Sequence, residues 1–137
     1  MKIILDTNIV LDILLKREEF YQASYDTVKL SVRDRINAVL PTNIITDVYY
    51  VLNRNDKALA KPILEKFLPL VDMCEVIPAD ITAAFSLEMK DFEDAVVAAT
   101  AFRVNANYIV TRNGKDFEGS PVPAIEPGDF LDIMPEG

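Results

Sequence analysis

No histidine occurs anywhere in these 137 residues, and there are only one cysteine and four glycines. Without histidine, triads in which an imidazole carries the proton and zinc sites with imidazole ligands are impossible. The lone Cys74 excludes a disulfide framework or a cysteine metal knuckle and reads as a small buried hydrophobe. The glycines form neither GxGxxG nor GxxxxGKS, so no glycine-rich phosphate cradle is encoded. No apolar run is long or clean enough to span a bilayer. The apolar start is interrupted by Asp6 and Asp12 and followed by "KREE", which is unlike a secretory signal, so a cytoplasmic setting is expected. Any chemistry must therefore rest on carboxylates, amides, hydroxyls, lysine or arginine.

Carboxylates are plentiful. The net charge is −8, and it is unevenly spread. Residues 1–68 carry 10 Lys and Arg against 9 Asp and Glu, whereas residues 69–137 carry 4 against 13. The basic clusters (Lys16 and Arg17; Arg33 and Arg35; Arg54, Lys57, Lys61 and Lys66) read as solvated helix faces. An acidic balance argues against a non-specific nucleic-acid binder, but less so where some of the acid holds a cation. Half of the residues are apolar and 26% are charged, the profile of one folded domain over residues 1–137.

The order of apolar segments predicts the fold class. Met1–Leu5 reads as a strand, and Ile9, Val10, Ile13 and Leu14 as the buried face of a helix. "FYQASYDTVKLSVRDRI" has helical spacing, "AVLPT" reads as a second strand, and "NIITDVYYVLNRN" as a helix with Asn43 as its N-cap. "DKALAKPILEKFLPLV" is helical, with Pro62 expected to break or restart it. "MCEVIP" is a third strand, "ADITAAFSLEMK" a helix capped near Asp80, and "DFEDAVVAATAFRVNA" a helix whose small residues permit close approach to a sheet. "YIVT" is a fourth strand, "AI" a short fifth, and "PGDFLDIM" a last turn or helix. Strands alternating with crossover helices make a three-layer α/β/α fold with a small, mostly parallel sheet of four to five strands.

In such sheets ligands bind beyond the carboxyl ends of the strands. Asp6, Thr7 and Asn8 follow the first strand; Thr42, Asn43 and Asp47 follow the second; Thr111, Arg112, Asn113 and Asp116 follow the fourth. Asp94 lies in the first turn of the helix leading into that fourth strand. Plainer readings stand beside these. Asp6 fits a position favoured by the helix dipole just before an N-cap. Asp12 reads as a solvated helix residue. Asp47 falls one position past the place that would complete a capping box with Asn43, whereas Asp91 and Asp94 do form a capping-box-like pair. "RNG" could be a hairpin turn, but "KDFEGSPVP" has no strand alternation, so the segment reads as a rim loop.

Carboxylates gathered at one rim repel each other unless protons or a divalent cation relieve them. Mg²⁺ or Mn²⁺ suits an all-oxygen site and retains several waters. Such an ion lowers the pKa of a bound water, and two ions about 3.5–4 Å apart can clamp an in-line phosphodiester displacement. This chemistry needs neither histidine nor cysteine.

"ILDTNIVLDIL", "ITDVYYVL" and "FEDAVVAATAFRVNANYIVTRNGKDF" together resemble the PIN domain family, including the toxin ribonucleases of bacterial toxin–antitoxin pairs. The resemblance implies Mg²⁺- or Mn²⁺-dependent RNA cleavage, with Asp6 as the first metal carboxylate, Asn8 as its polar companion and Asp94 as the acid opening the "DAVVAATA" helix. Asp47 stands where the family usually has Glu. Asn113 stands where many members have Asp, with Asp116 nearby, and Asp91 and Glu93 could supplement the site. The implied metal set is Asp6, Asp47, Asp94, Asp116 and Asn113, with Thr111 holding a ligand or phosphate and Arg112 contacting phosphate. The resemblance also implies an RNA substrate, a small antitoxin partner and a homodimer. The departures at Asp47 and Asn113 motivate a second reading, a catalytically weak module that binds RNA or protein. A phosphotransferase of the haloacid dehalogenase or receiver type fits less well. The first needs an Asp where Asn8 stands; the second needs paired acids before the strand-end Asp and a late Lys, and neither pattern is evident.

Overall fold

The computed structural model describes residues 1–135. Five strands of the described residues form one sheet: β1 (Lys2–Leu5), β2 (Asn37–Pro41), β3 (Asp72–Cys74), β4 (Tyr108–Val110) and β5 (Ala124–Ile125). Their order is β3-β2-β1-β4-β5, and all four pairings are parallel. The central strands are short apolar runs because a parallel sheet is covered on both faces. Ile3, Ile4, Leu5, Leu40, Ile109 and Val110 are all fully buried.

Among the described residues, seven α-helices connect and cover the sheet: α1 (Thr7–Leu14), α2 (Tyr21–Val32), α3 (Thr42–Asn55), α4 (Ala60–Phe67), α5 (Pro78–Ala84), α6 (Phe92–Arg103) and α7 (Pro127–Ile133). The chain moves outward from β1 to β2 to β3, then crosses back over β1 to reach β4. Right-handed crossovers in opposite directions put α1–α4 and the α5–α6 pair on opposite faces. The expected three-layer α/β/α architecture is what the structure shows. Helix α6 lies close on the sheet because its inward residues are small, with Ala98 and Ala101 fully buried. Among the described residues, no helix is long and apolar enough to cross a membrane.

Several boundaries differ from the expectation. Helix α2 stops at Val32, and Asp34 takes a left-handed turn at φ 56° before β2. Strand β3 ends at Cys74, well short of Pro78, which instead opens α5. As an edge strand it has one neighbour to pair with, and proline suits the first turn of a helix. Helix α5 ends at Ala84 and does not continue to Lys90; the N–H groups of Ser86 and Leu87 turn back onto the Ala83 and Ala84 carbonyls. Pro62 marks a restart, since α3 ends at Asn55 and α4 begins at Ala60, leaving Pro62 in a first turn whose N–H groups need no helical acceptor. The loop before α6 is held by Gly119, whose φ is +88° and where a Cβ would lie 2.5 Å from the Glu88 carbonyl oxygen. Only glycine fits that approach.

Candidate active site

The sheet reverses its winding between β1 and β4, and the carboxyl ends of those two strands meet at the crevice where ligands collect in open α/β sheets. Asp6 stands at the end of β1 and is itself the N-cap of α1: its Oδ1 accepts the Thr7 N–H at 2.8 Å. The plainer explanation of Asp6 is thus true, but it accounts for only one oxygen. The other, Oδ2, accepts the Thr111 hydroxyl at 2.7 Å and the Asn8 amide at 3.1 Å. Thr111, fully buried just past β4, accepts in turn from Asn8 Nδ2 at 3.4 Å and from the Asn113 backbone N–H at 3.0 Å. A carboxylate offers about four acceptor positions. Three on Asp6 are filled from behind, which fixes its orientation and leaves capacity towards the rim.

The charges of the acids show which of them share this space. Burial pushes the Asp6 carboxyl above its usual range despite the three donors, and the Asp116 carboxylate raises it further. Asp94 is pushed up to about 7, first by burial and then by the charges of Asp6, Asp91, Asp116 and Glu93. Residues from the ends of β1 and β4 and from the start of α6 therefore act on one another. Asp91 caps α6 by accepting the Asp94 N–H at 2.9 Å, so that pair is structural as expected while Asp94 also faces the acids. Asp47 lies exposed on α3, and partial burial alone raises its pKa, without a contribution from the other carboxylates. Asn113 and Asp116 are exposed on the loop and 3-10 turn after β4.

Two expectations need correction. Asn43 is not the N-cap of α3: Pro41 occupies that position and Thr42 begins the helix. The Asn43 Oδ1 is instead buried with no hydrogen-bond partner among the described residues, at the carboxyl end of the strand beside β1. Asp12 is not solvated. It is fully buried and accepts Arg112 Nε at 2.6 Å and Nη2 at 3.1 Å, with Arg17 Nη1 at 3.3 Å. The Arg112 guanidinium also lies 3.8 Å from the centroid of the Phe20 ring. The candidate phosphate contact thus has its fork engaged by Asp12, and its backbone N–H is accepted by Asn8 Oδ1 at 3.3 Å. Asn8 and Asp12, one turn apart on α1, together clamp the chain leaving β4.

The donor set is all oxygen, with carboxylates whose pKa values are raised first by burial and then by neighbouring like charge, and an amide oxygen without a partner among the described residues at the neighbouring strand end. That chemistry fits a hard divalent cation. Among the described residues, no three acids converge into a ready-made cage. The arrangement is an open cluster, which suits an ion that retains much of its water.

The PIN domain model matches residues 2–115. The chain belongs to the PIN domain family. It is 25% identical to Ribonuclease VapC1 of Aquifex aeolicus (strain VF5) across 96% of this chain and 94% of that protein. The PIN fold here is shared with solved structures. The VapBC2 structure from Rickettsia felis, bound to a DNA fragment from its promoter, superposes with a TM-score of 0.76 at 18% identity, covering 92% of this chain and 98% of that one. VapC20 of Mycobacterium tuberculosis, described as a toxin that cleaves the sarcin-ricin loop, gives 0.71 at 14% identity, covering 91% and 99%.

The charge on Asp94 sets a pH-dependent stability. Its folded pKa of about 7 lies above the ordinary 3.8, so the native state binds this proton more tightly than the unfolded chain. The carboxyl's destabilising effect is absent below the ordinary value, grows as pH rises between the two values and levels off above the folded one. Asp94→Asn should therefore stabilise the protein in EDTA by about 1–2 kcal/mol at pH 8, a figure discounted for partial exposure. The gain should shrink to nothing near pH 4. Urea denaturation at both pH values checks this; a gain equal at both, or a loss at pH 8, would contradict it.

Proposed function

We propose that this PIN domain, spanning residues 1–137, is a divalent-metal-dependent ribonuclease and the toxin of a toxin–antitoxin pair acting in the cytoplasm. The observation that carries the reading is the electrostatic coupling of Asp6, Asp94 and Asp116, three acids from separate segments, at the sheet's switch point. Support comes from the ribonuclease name of the Aquifex relative and from the toxin–antitoxin complexes among proteins of like fold. Asp6, Asp94 and Asp116 would hold Mg²⁺ or Mn²⁺, with Asp47 and Asn113 completing the set. A bound ion of this kind supplies a water of lowered pKa and neutralises charge on the phosphodiester. Thr111 and Asn8 hold Asp6 in one orientation, and Asp12 keeps Arg112, and with it the start of the rim loop, against α1. RNA is the proposed substrate, with a small antitoxin and a second copy of the chain as proposed partners.

The test has two readouts. Incubation of defined single-stranded RNAs should give cleavage with Mg²⁺ or Mn²⁺ and none in EDTA. Millimolar Mg²⁺ or Mn²⁺ should also raise the melting temperature at pH 8, because a ligand that binds only the folded state stabilises it. If neither ion causes cleavage or a shift, the catalytically weak binding module replaces the nuclease.

A further inference from the structure

Thr111, whose hydroxyl holds Asp6, is followed by Arg112, and Arg112 and Glu126 each line two adjoining cavities. The larger, of about 570 Å³, reaches Asn113 and Asp116 of the proposed metal set. The smaller, of about 230 Å³, lies between α2 and α7 and is lined by Phe20, Ser24 and Pro127. The Ser24 hydroxyl is fully buried and has no hydrogen-bond partner among the described residues. One bridging water, which takes up roughly 30 Å³, would satisfy that hydroxyl and leave most of the space unused. Phe20 and the Arg112 guanidinium, 3.8 Å apart, give the cavity flat walls of the kind on which bases stack. Its charge is negative. Arg112 is already neutralised by Asp12 at 2.6 and 3.1 Å, while Glu19 and Glu126 have no ion pair among the described residues. Glu126 stands at the N-cap position of α7, yet its side chain accepts no capping bond. Such a cavity repels a phosphate and accepts a neutral ring that carries hydrogen-bond donors.

We propose that this cavity is a subsite for one unpaired guanine of the RNA substrate, with Glu126 as the carboxylate that reads it. Phe20 and Arg112 form its stacking wall, and the Ser24 hydroxyl donates to it. Guanine is the one RNA base that presents two donors side by side, N1–H and N2–H, and a carboxylate has two oxygens to accept them. Ser24 has a proton for the neighbouring O6. Adenine and cytosine set an acceptor nitrogen beside their amine, and uracil flanks its single N–H with two carbonyls. Each of these turns a lone pair towards Glu126. The proposal takes its substrate class from the ribonuclease reading and adds which base is held. The shared lining of the two cavities joins the guanine site to Asp116.

The test measures binding of short oligouridine strands carrying one central guanosine, adenosine, cytidine or inosine. Fluorescence anisotropy in EDTA reads binding without cleavage. The wild type should bind the guanosine strand about tenfold more tightly than the all-uridine strand, in the range of one bidentate base contact. Glu126→Gln should bring that preference within about twofold. Inosine, which lacks only the N2 amine, should cost the wild type a factor that Glu126→Gln no longer shows. Ser24→Ala should weaken the guanosine strand about threefold, the size of one neutral hydrogen bond, without lowering the melting temperature. Equal binding of all strands in EDTA, together with cleavage in Mg²⁺, refutes the subsite and leaves the nuclease reading standing. A guanosine preference that survives Glu126→Gln refutes it as well. A preference lost in Glu126→Gln but accompanied by no cleavage in Mg²⁺ or Mn²⁺ supports the subsite and removes the nuclease. If the wild type shows no base preference but binds an arginine-containing peptide that Glu126→Gln releases, the cavity receives a side chain of a protein partner and the proposal is overturned. If the wild type neither binds nor cleaves RNA, both readings fall together.

Discussion

Replacing Asp6 with asparagine is expected to lower divalent-dependent RNA cleavage by more than about a hundredfold, beyond the loss usual for groups that only support a ligand. The fold should survive. The asparagine Oδ1 can still accept the Thr7 N–H that starts α1, while its Nδ2 gives up the bonds that Oδ2 accepts from the Thr111 hydroxyl and the Asn8 amide. The buried carboxyl already has a raised pKa, so the folded state favours a neutral group at this position. Melting in EDTA at neutral pH should therefore be unchanged or slightly higher, and the melting increase with Mg²⁺ or Mn²⁺ should be lost. Asp6→Glu is a sharper control, because it keeps the charge but lengthens the side chain that Thr111 and Asn8 hold. It should retain part of the thermal shift and little of the cleavage. Cleavage by Asp6→Asn equal to that of the wild type would remove Asp6 from the chemistry.

The parts of this molecule that follow a local period were legible in its sequence. Strands β1, β2 and β4 are continuous apolar runs because both faces of a parallel sheet are covered, and α6 announces its close packing through a row of alanines. The site was legible for a related reason. A carboxylate directly after a buried strand must be paired, capped or liganded, and Asp6 proves to be capped on one oxygen and gripped on the other. Long-range pairing was not legible. Asp12 reads in the sequence as a solvated helix residue, yet its partner Arg112 lies a hundred positions along the chain, and no local pattern encodes that contact. Element ends were also obscure where tertiary geometry decides them. "EVIP" could have extended β3, and "SLEM" has good helix propensity. The first sits on a sheet edge with one neighbour, and the second reverses in a turn that Gly119 approaches from another segment. Asn43 looked like a cap because its side chain suits one, whereas Pro41 already supplies the extended backbone that precedes α3. The mutual charge effects of Asp6, Asp94 and Asp116 follow only from the crossover that carries α6 back beside β1.

That clamp yields the largest expected effect on stability. Asp12 is fully buried and is the carboxylate to which both Arg112 and Arg17 are bonded. Asp12→Ala would leave the Arg112 guanidinium, whose side chain is only 24% exposed, against Phe20 without its counter-charge. Breaking one side of such a pair costs about 3–5 kcal/mol, most of it from the abandoned partner. The loss should reach the rim as well. Arg112 is the residue after Thr111, and its N–H is held by Asn8, so freeing its side chain loosens the segment whose hydroxyl orients Asp6. Cleavage should therefore fall even at temperatures where Asp12→Ala remains folded. The double variant Asp12→Leu with Arg112→Met separates charge from packing. Removing both ions should recover most of the lost stability, since a buried pair exchanged for apolar groups is often neutral. Urea denaturation of the four species in a double-mutant cycle measures the coupling directly. A loss below about 1 kcal/mol for Asp12→Ala would mean that the pair behaves like an exposed surface bridge. Additive losses in the cycle would mean that the two residues act separately, and α1 would then have to hold the β4 exit through Asn8 alone.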